Sequence, residues 1–233
     1  CNYRCSYCTQ RFMDDRTRWA RDVDAFIAGF ARLRALSGAT WEVKLSGGEP
    51  FLHPRFIDVV TGLVDNGFLV GVVTNLSASV DKLRRFLDAT GDALTVFSCS
   101  LHLEYANVDE FVAKCRLVRD GVPATARHVV TSVATHEALP KLRALRERFE
   151  TERIAFRVQP EKQNSAIVDY DAVEVQELVQ LGGHNGHGVV AHDFLGQPCW
   201  SGTRSLIVDD RGEVFRCYPA RRARRERLCK LLD

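Results

Sequence analysis

The chain has 233 residues, 45% of them hydrophobic, 27% charged and 9% aromatic, with 16 Gly and 7 Pro. That composition excludes disordered, collagen-like and low-complexity classes, and a chain of this length buries a core without needing disulfides. Lys and Arg (32) balance Asp and Glu (30) to a formal charge of +2, which gives no support for a sequence-independent nucleic-acid binder. No stretch approaches the roughly 18 consecutive apolar residues of a spanning helix, and no secretory signal opens the chain. Residue 1 is Cys and a motif begins on it, so the chain is expected to lack its natural N-terminus.

From residue 19 to 181 the pattern alternates helix and strand with a period of about thirty residues. Val23, Phe26, Ile27, Phe30, Leu33 and Leu36 fall at helical spacing. A strand over Trp41 to Leu45 ends in Ser46-Gly47-Gly48-Glu49-Pro50. Phe56, Ile57, Val60, Leu63 and Val64 make the next helical stripe, closed by Asn66-Gly67. Phe68 to Thr74 is a continuous apolar run, as in a strand covered on both faces. Ser79 caps a helix to Asp88, and Leu94 to Leu101 is a strand. Asn107 with Glu110 opens a helix, Ala126 to Val133 is a strand, and His136 to Glu150 a helix. Ile154 to Gln159 and Asp171 to Leu181 close the series as strand and helix. Five strands alternating with helices predict a parallel α/β sheet or barrel, six if a strand precedes Cys1.

After Leu181 the character changes. Residues 182–198 form a Gly/His-rich connector, and Ser205 to Val208 with Val214 to Cys217 read as a β-hairpin turning at Asp209-Asp210-Arg211-Gly212. A basic stretch from Arg221 to Arg227 follows.

Eight cysteines carry most of the chemistry. Cys1, Cys5 and Cys8 crowd the start, Cys199, Cys217 and Cys229 the last 35 residues, and Cys99 and Cys115 stand alone. Closely spaced thiols in a chain with this much core read better as metal ligands than as disulfides. Cys1-x3-Cys5-x2-Cys8 lets one loop wrap three thiolates around one inorganic centre. Three thiolates satisfy three irons of a [4Fe–4S] cluster and leave the fourth open. A closed zinc site wants four ligands, and no Cys or His follows within forty residues of Cys8. A zinc loop with a distant fourth ligand is the alternative. Cys115 shares a helical stripe with Val108, Phe111, Val112 and Val118, and Cys99 alternates away from Ser98 and Ser100; both read as core residues. His184, His187 and His192 read as members of a polar loop, and the arginines at 221, 222, 224, 225 and 227 as a solvated helical face.

The cysteine loop, with Tyr7 just before its last cysteine, resembles that of radical S-adenosylmethionine (SAM) enzymes, and Gly47-Gly48-Glu49-Pro50 at the next strand end resembles their second hallmark. The resemblance covers residues 1 to about 181. A Gly-Gly pair alone is ordinarily a tight turn; here it lies where missing Cβ atoms let backbone approach a ligand. Cys199-x12-Gly212-x4-Cys217 resembles the hairpin of SPASM and twitch extensions, twitch-like or cut off near residue 233 because further cysteines are lacking.

The resemblance implies a partial (β/α)6 TIM-like barrel over residues 1–181, the connector 182–198 and an auxiliary iron–sulfur segment over 199–233. It implies that Cys1, Cys5 and Cys8 hold a [4Fe–4S] cluster whose open iron binds SAM, cleaved by one electron to methionine and a 5′-deoxyadenosyl radical. Gly47, Gly48 and Glu49 would hold the methionine amine, and the backbone near Tyr7 would meet adenine. Thr74, Asn75, Ser98, Ser100, Arg127 and Gln159 are further cofactor contacts, with His102 beside them; Glu104 and Tyr105 would face substrate. Cys199, Cys217 and Cys229 would bind a second [4Fe–4S] cluster. The expected reaction is oxidative or bond-forming modification of a peptide, with dehydrogenation or epimerisation of a sugar or other small molecule as the alternative. A flavodoxin- or ferredoxin-type electron donor is implied, with no nucleic-acid or membrane partner, and oxygen-sensitive clusters with reduced thiols point to the cytoplasm. From other classes, an iron–sulfur electron-transfer protein on a decayed barrel and a zinc-stabilised binding domain stay open.

Overall fold

A computed structural model describes residues 1–8, 22–163, 166–183 and 196–231. Helix α1 (Val23–Ser37) starts at Asp22, whose side chain accepts from the Ala25 amide, and ends on the left-handed Gly38. Strand β1 (Glu42–Leu45) runs to the Gly47-Gly48-Glu49 turn and a short 3₁₀ turn, Pro50–Leu52. Then α2 (Phe56–Asp65), β2 (Leu69–Thr74), α3 (Val80–Thr90), β3 (Leu94–Leu101) and α4 (Val108–Gly121) alternate. Ser79 caps α3 through the Lys82 amide, and Asn107 caps α4 through the amides of Asp109 and Glu110. They are followed by β4 (Arg127–Ala134), α5 (Leu139–Thr151) and β5 (Ala155–Pro160). Helix α5 begins at Leu139 with Pro140 in its first turn, not at His136, whose Nδ1 instead lies 2.7 Å from Glu174.

The five strands form one parallel sheet in the order β1-β2-β3-β4-β5, with both edges open among the described residues. A sixth strand, expected ahead of Cys1, would lie outside this sequence. Register brings Lys44, Gly71, Val96 and Arg127 level with one another, and Ser100, Thr131 and Arg157 level four residues further along. Alternation sends these residues to one face of the sheet and Val70, Val72, Phe97, Cys99 and Val130 to the other. The second set is fully buried beneath the helices. There Phe30, Phe56, Phe68, Phe86, Phe97, Phe111 and Phe149 join one apolar core. A smaller core of Leu139, Leu142, Val158, Leu178 and Leu181 sits under β5.

Two short strands, β6 (Lys162–Gln163) and β7 (Ala166–Ile167), pair antiparallel before α6 (Ala172–Gln180), which opens on a capping box of Asp171 and Glu174. The C-terminal hairpin is β8 (Ile207–Val208) with β9 (Glu213–Phe215), shorter than the spacing predicts. Helix α7 (Tyr218–Ala223) and β10 (Arg227–Lys230) follow, and β10 adds to β9 as the edge of a three-stranded antiparallel sheet.

The basic stretch is not one solvated helical face. Arg221 and Arg222 lie on α7, Arg224 is its left-handed cap, and Arg227 lies on β10. Arg224 pairs with Asp209 at 3.2 Å and with Glu213, and Arg227 reaches Glu213 at 3.1 Å. Asp209 and Glu213 are buried acids that need partners, which Arg224 and Arg227 supply while staying exposed. Val208 and Leu231 pack on the main core, so this segment docks beside the barrel. Among the described residues, no helix is long and apolar enough to cross a membrane.

Candidate active site

The three N-terminal cysteines hang over the C-terminal ends of the strands. The residues between them are anchored from the ends of two strands, Asn2 from past β2 and Tyr3, Arg4, Ser6 and Tyr7 from past β3. Asn2 accepts from Asn75 Nδ2 at 2.9 Å, past β2. The Ser6 amide and hydroxyl both donate to Glu104, at 3.0 and 2.5 Å, past β3. Tyr105 donates to the Arg4 carbonyl at 2.8 Å, and its ring stacks on Tyr3 with centroids 4.8 Å apart. Tyr7 Oη lies 2.9 Å from His102 Nδ1, and Cys5 Sγ lies 3.4 Å from the same nitrogen. The Cys8 amide closes a turn onto the Cys5 carbonyl at 3.0 Å.

Burial sets the electrostatics here. It pushes the Tyr7 phenol far up, with the Cys5 thiol adding to it, and pushes the Cys5 thiol up. It pushes the His102 imidazole down, so neutral His102 sits between them. Such thiols ionise when a metal takes them, since metal ligation and deprotonation are linked.

The Gly47-Gly48-Glu49 turn closes the other side. A Cβ at Gly48 would lie 2.6 Å from the Cys1 nitrogen, closer than real Cβ atoms come to backbone. Gly47 has φ 139°, and no atom of the described residues lies within 4 Å of where its Cβ would be, so its backbone is open to a ligand. Glu49 is 3% exposed and points inward. Its Oε1 accepts from the Phe51 amide at 3.1 Å and from Thr74 Oγ1 at 2.8 Å, and its Oε2 from the Asn75 amide at 2.6 Å. Burial raises its pKa, and the Asn75, Thr74 and Phe51 bonds pull it back down. Thr74 and Asn75, expected as cofactor contacts, both bond to Glu49, and Asn75 also holds the cysteine loop through Asn2.

Ser98 and Ser100 face the open side of the sheet, with Gln159 toward its cysteine-loop end. Arg127 does not join them: it opens β4, at the far end from the cysteines. The sequence reading missed the anchors Asn2, Ser6 and Tyr3, whose partners are about a hundred residues away in the chain or, for Asn2, about seventy. It also missed Lys44, Thr131 and Arg157, which strand alternation alone could have placed on the open face.

The three thiols suit an iron–sulfur cluster. A single zinc would gather thiolates to within about 4 Å of one another, given Zn–S bonds of about 2.3 Å. Among the described residues, the one such gathering of three or more His, Cys, Asp or Glu ligand atoms within 4.8 Å is Cys99, Cys115 and His128, behind the sheet. Cys1, Cys5 and Cys8 do not form such a gathering. Cys99 and Cys115 are fully buried, with Cys99 Sγ 3.5 Å from His128 Nε2.

Residues 1–116 match the Radical SAM superfamily. The chain belongs to that superfamily. Its radical SAM domain is similar to a tungsten-containing aldehyde ferredoxin oxidoreductase cofactor-modifying protein from Pyrococcus furiosus, 28% identical over 61% of this chain and 44% of that protein. It is similar also to an S-adenosylmethionine-dependent nucleotide dehydratase from Selenomonas ruminantium, 33% identical over 32% of this chain and 26% of the relative. This radical SAM chain spans less than half the length of these curated relatives. In fold it is similar to Streptococcus suis SuiB bound to its precursor peptide SuiA, with TM-score 0.71, 12% identity and coverage of 100% of this chain and 60% of SuiB.

In the C-terminal segment, Cys217 precedes α7 and Cys229 lies on β10 opposite Val214. Cys199 is held by Ser201, which lowers its pKa, with Arg216 contributing. Tyr218 Oη lies 3.3 Å from Ser46 Oγ, tying this segment to the end of β1. His184, His187 and His192 lie outside the described residues.

Proposed function

We propose that the chain reductively cleaves SAM at a [4Fe–4S] cluster held by Cys1, Cys5 and Cys8 and uses the radical to modify a peptide oxidatively or by bond formation. The observation that carries the reading is the backbone contact of Gly48 with Cys1, which joins the thiol loop and the glycine turn into one site. When bound, the cluster and SAM supply one-electron cleavage to methionine and a 5′-deoxyadenosyl radical. The chain's part is orientation. Gly47 and Gly48 present backbone to the methionine amine, Gly47 open and Gly48 packed on Cys1, with Glu49 behind them fixed by Thr74 and Asn75. The backbone at Tyr7 lies on the adenine side, and Ser98, Ser100 and Gln159 line the ribose side. An electron carrier has no need of the opening at Gly47, which weighs against that class.

Residues 1–181 form the catalytic core in this reading, 182–198 the connector, and 199–233 a twitch-like segment in which Cys199, Cys217 and Cys229 hold a second [4Fe–4S] cluster. The pairing of β10 with β9 supports it by carrying Cys229 to the sheet that Cys217 leaves. The peptide substrate is supported by the likeness to SuiB, which has been crystallised with a precursor peptide. A small-molecule substrate is the second reading, favoured by the cationic lumen described below. The electron donor is of flavodoxin or ferredoxin type and the compartment the cytoplasm, where such clusters survive.

The test is 5′-deoxyadenosine release from SAM by the anaerobically reconstituted, dithionite-reduced chain beside Cys5→Ala. Release by the parent alone supports the proposal; no release from a parent with a full iron complement overturns it.

A further inference from the structure

The open face of the sheet encloses a cavity of about 200 Å³. Lys44, Arg127 and Arg157 line it together with Ser100 and Thr131. Among the described residues none of the three cations makes an ion pair, although arginines elsewhere in the chain pair freely. Glu42, on the same face of β1, pairs with none of them. Thr131 is 8% exposed, and its hydroxyl is buried without a partner. Orphaned buried hydroxyls cost about 1–3 kcal/mol and are uncommon. Three like charges, all exposed, also face one cavity with no acid among the described residues within pairing distance.

A single kind of occupant relieves both. We infer that this lumen is an anion site, receiving a carboxylate or phosphate carried by the substrate, with Arg157 and Thr131 level with Ser100 and with Arg127 and Lys44 at the floor. Guanidinium groups grip either anion through two parallel N–H bonds, and the Thr131 hydroxyl supplies a third donor. That the anion belongs to the substrate rests on the radical SAM reading; the site itself does not.

The experiment is calorimetric titration of the reconstituted full chain with inorganic phosphate and with glutarate at matched ionic strength. The parent binds at least one probe saturably, and the tighter of the two distinguishes a phosphate from a carboxylate source. Arg157→Gln and Arg127→Gln each weaken binding about tenfold, the loss of one charge-assisted pair. Arg143→Gln, which removes a surface pair with Glu177, changes nothing. Melting curves check that each variant is folded, as expected for exposed side chains without partners. Absence of saturable binding to the parent, or equal weakening in Arg143→Gln, overturns the inference. SAM cleavage measured on the same samples separates the two claims: cleavage without anion binding sinks only the lumen site, and anion binding without cleavage sinks only the proposed reaction.

Discussion

Gly48 and Cys1 meet backbone to backbone, so closely that a methyl group on Gly48 would lie 2.6 Å from the Cys1 nitrogen. Neither partner of that contact is a flexible side-chain tip, so the cysteine loop must move if Gly48 gains a Cβ. Overpacking of this kind costs about 1–3 kcal/mol, and here it falls on the loop, not on the core. Gly48→Ala is therefore expected to melt near the parent temperature while binding much less iron at the loop. Full iron retention in that variant would contradict the account.

Glu104 fastens the same loop from the opposite side through both the amide and hydroxyl of Ser6. Hydrogen bonds to a charged carboxylate contribute about 1.5–3 kcal/mol each when well formed, less at an exposed site such as this. Glu104→Ala is expected to speed loss of iron to a chelator about tenfold, the kinetic image of some 1.4 kcal/mol of lost docking. The melting temperature should hardly move. An unchanged release rate would show that the loop is held elsewhere.

Glu49→Gln removes a buried charge, yet it should destabilise the chain. Both carboxylate oxygens accept backbone N–H groups, Phe51 on one and Asn75 on the other, so an amide must turn its own donor toward one of them. An unsatisfied buried donor costs about 1–3 kcal/mol, which denaturant titration of the parent and variant would measure. Greater stability of Glu49→Gln would mean that desolvation outweighs those bonds.

His128 sets a pH limit. Burial pushes its pKa down to about 4, Arg119 adds to the effect, and its Nδ1 is buried without a partner. The folded state thus binds a proton less readily than the unfolded state, whose histidines titrate near about 6.5. Stability from this group is complete above that value and is lost as pH falls from 6.5 toward 4, by about 2 kcal/mol near pH 4.5. Compared with His128→Gln, the parent should lose this extra stability between pH 7 and 4.5. Parallel curves would place His128 in water.

Arg224 holds the C-terminal sheet together by pairing with Asp209 and Glu213. Arg224→Ala leaves both buried acids short of a partner and should expose the segment after Cys199 to limited proteolysis. Arg225→Ala, a change at an exposed position, serves as the control. Equal digestion of both variants would refute the clamp.

The alternating core was legible because its signals are local. Apolar stripes at helical spacing and the capping residues Ser79, Asn107 and Asp171 mark α3, α4 and α6 to within two residues. The cysteine loop and glycine turn were legible for the same reason. What escaped is settled by tertiary pairing. Strand β10 is rich in charge and forms because β9 offers it an edge, and Arg224 before it and Arg227 at its start pair with acids fifteen residues or fewer upstream. Thr74 and Asn75 stand at the expected strand end, but only the fold shows that they bind Glu49. Arg127 stands on the expected strand, but its position at the start of β4 puts it on the lumen floor, far from the thiols.

The account stands on the cysteine loop and the glycine turn being one SAM site. The most direct measurement is the electron paramagnetic resonance spectrum of the reconstituted, reduced chain before and after SAM is added, with Cys217→Ala included to remove the signal of a second cluster. The account predicts that SAM shifts the spectrum of the loop cluster in both chains. A spectrum indifferent to saturating SAM would contradict it.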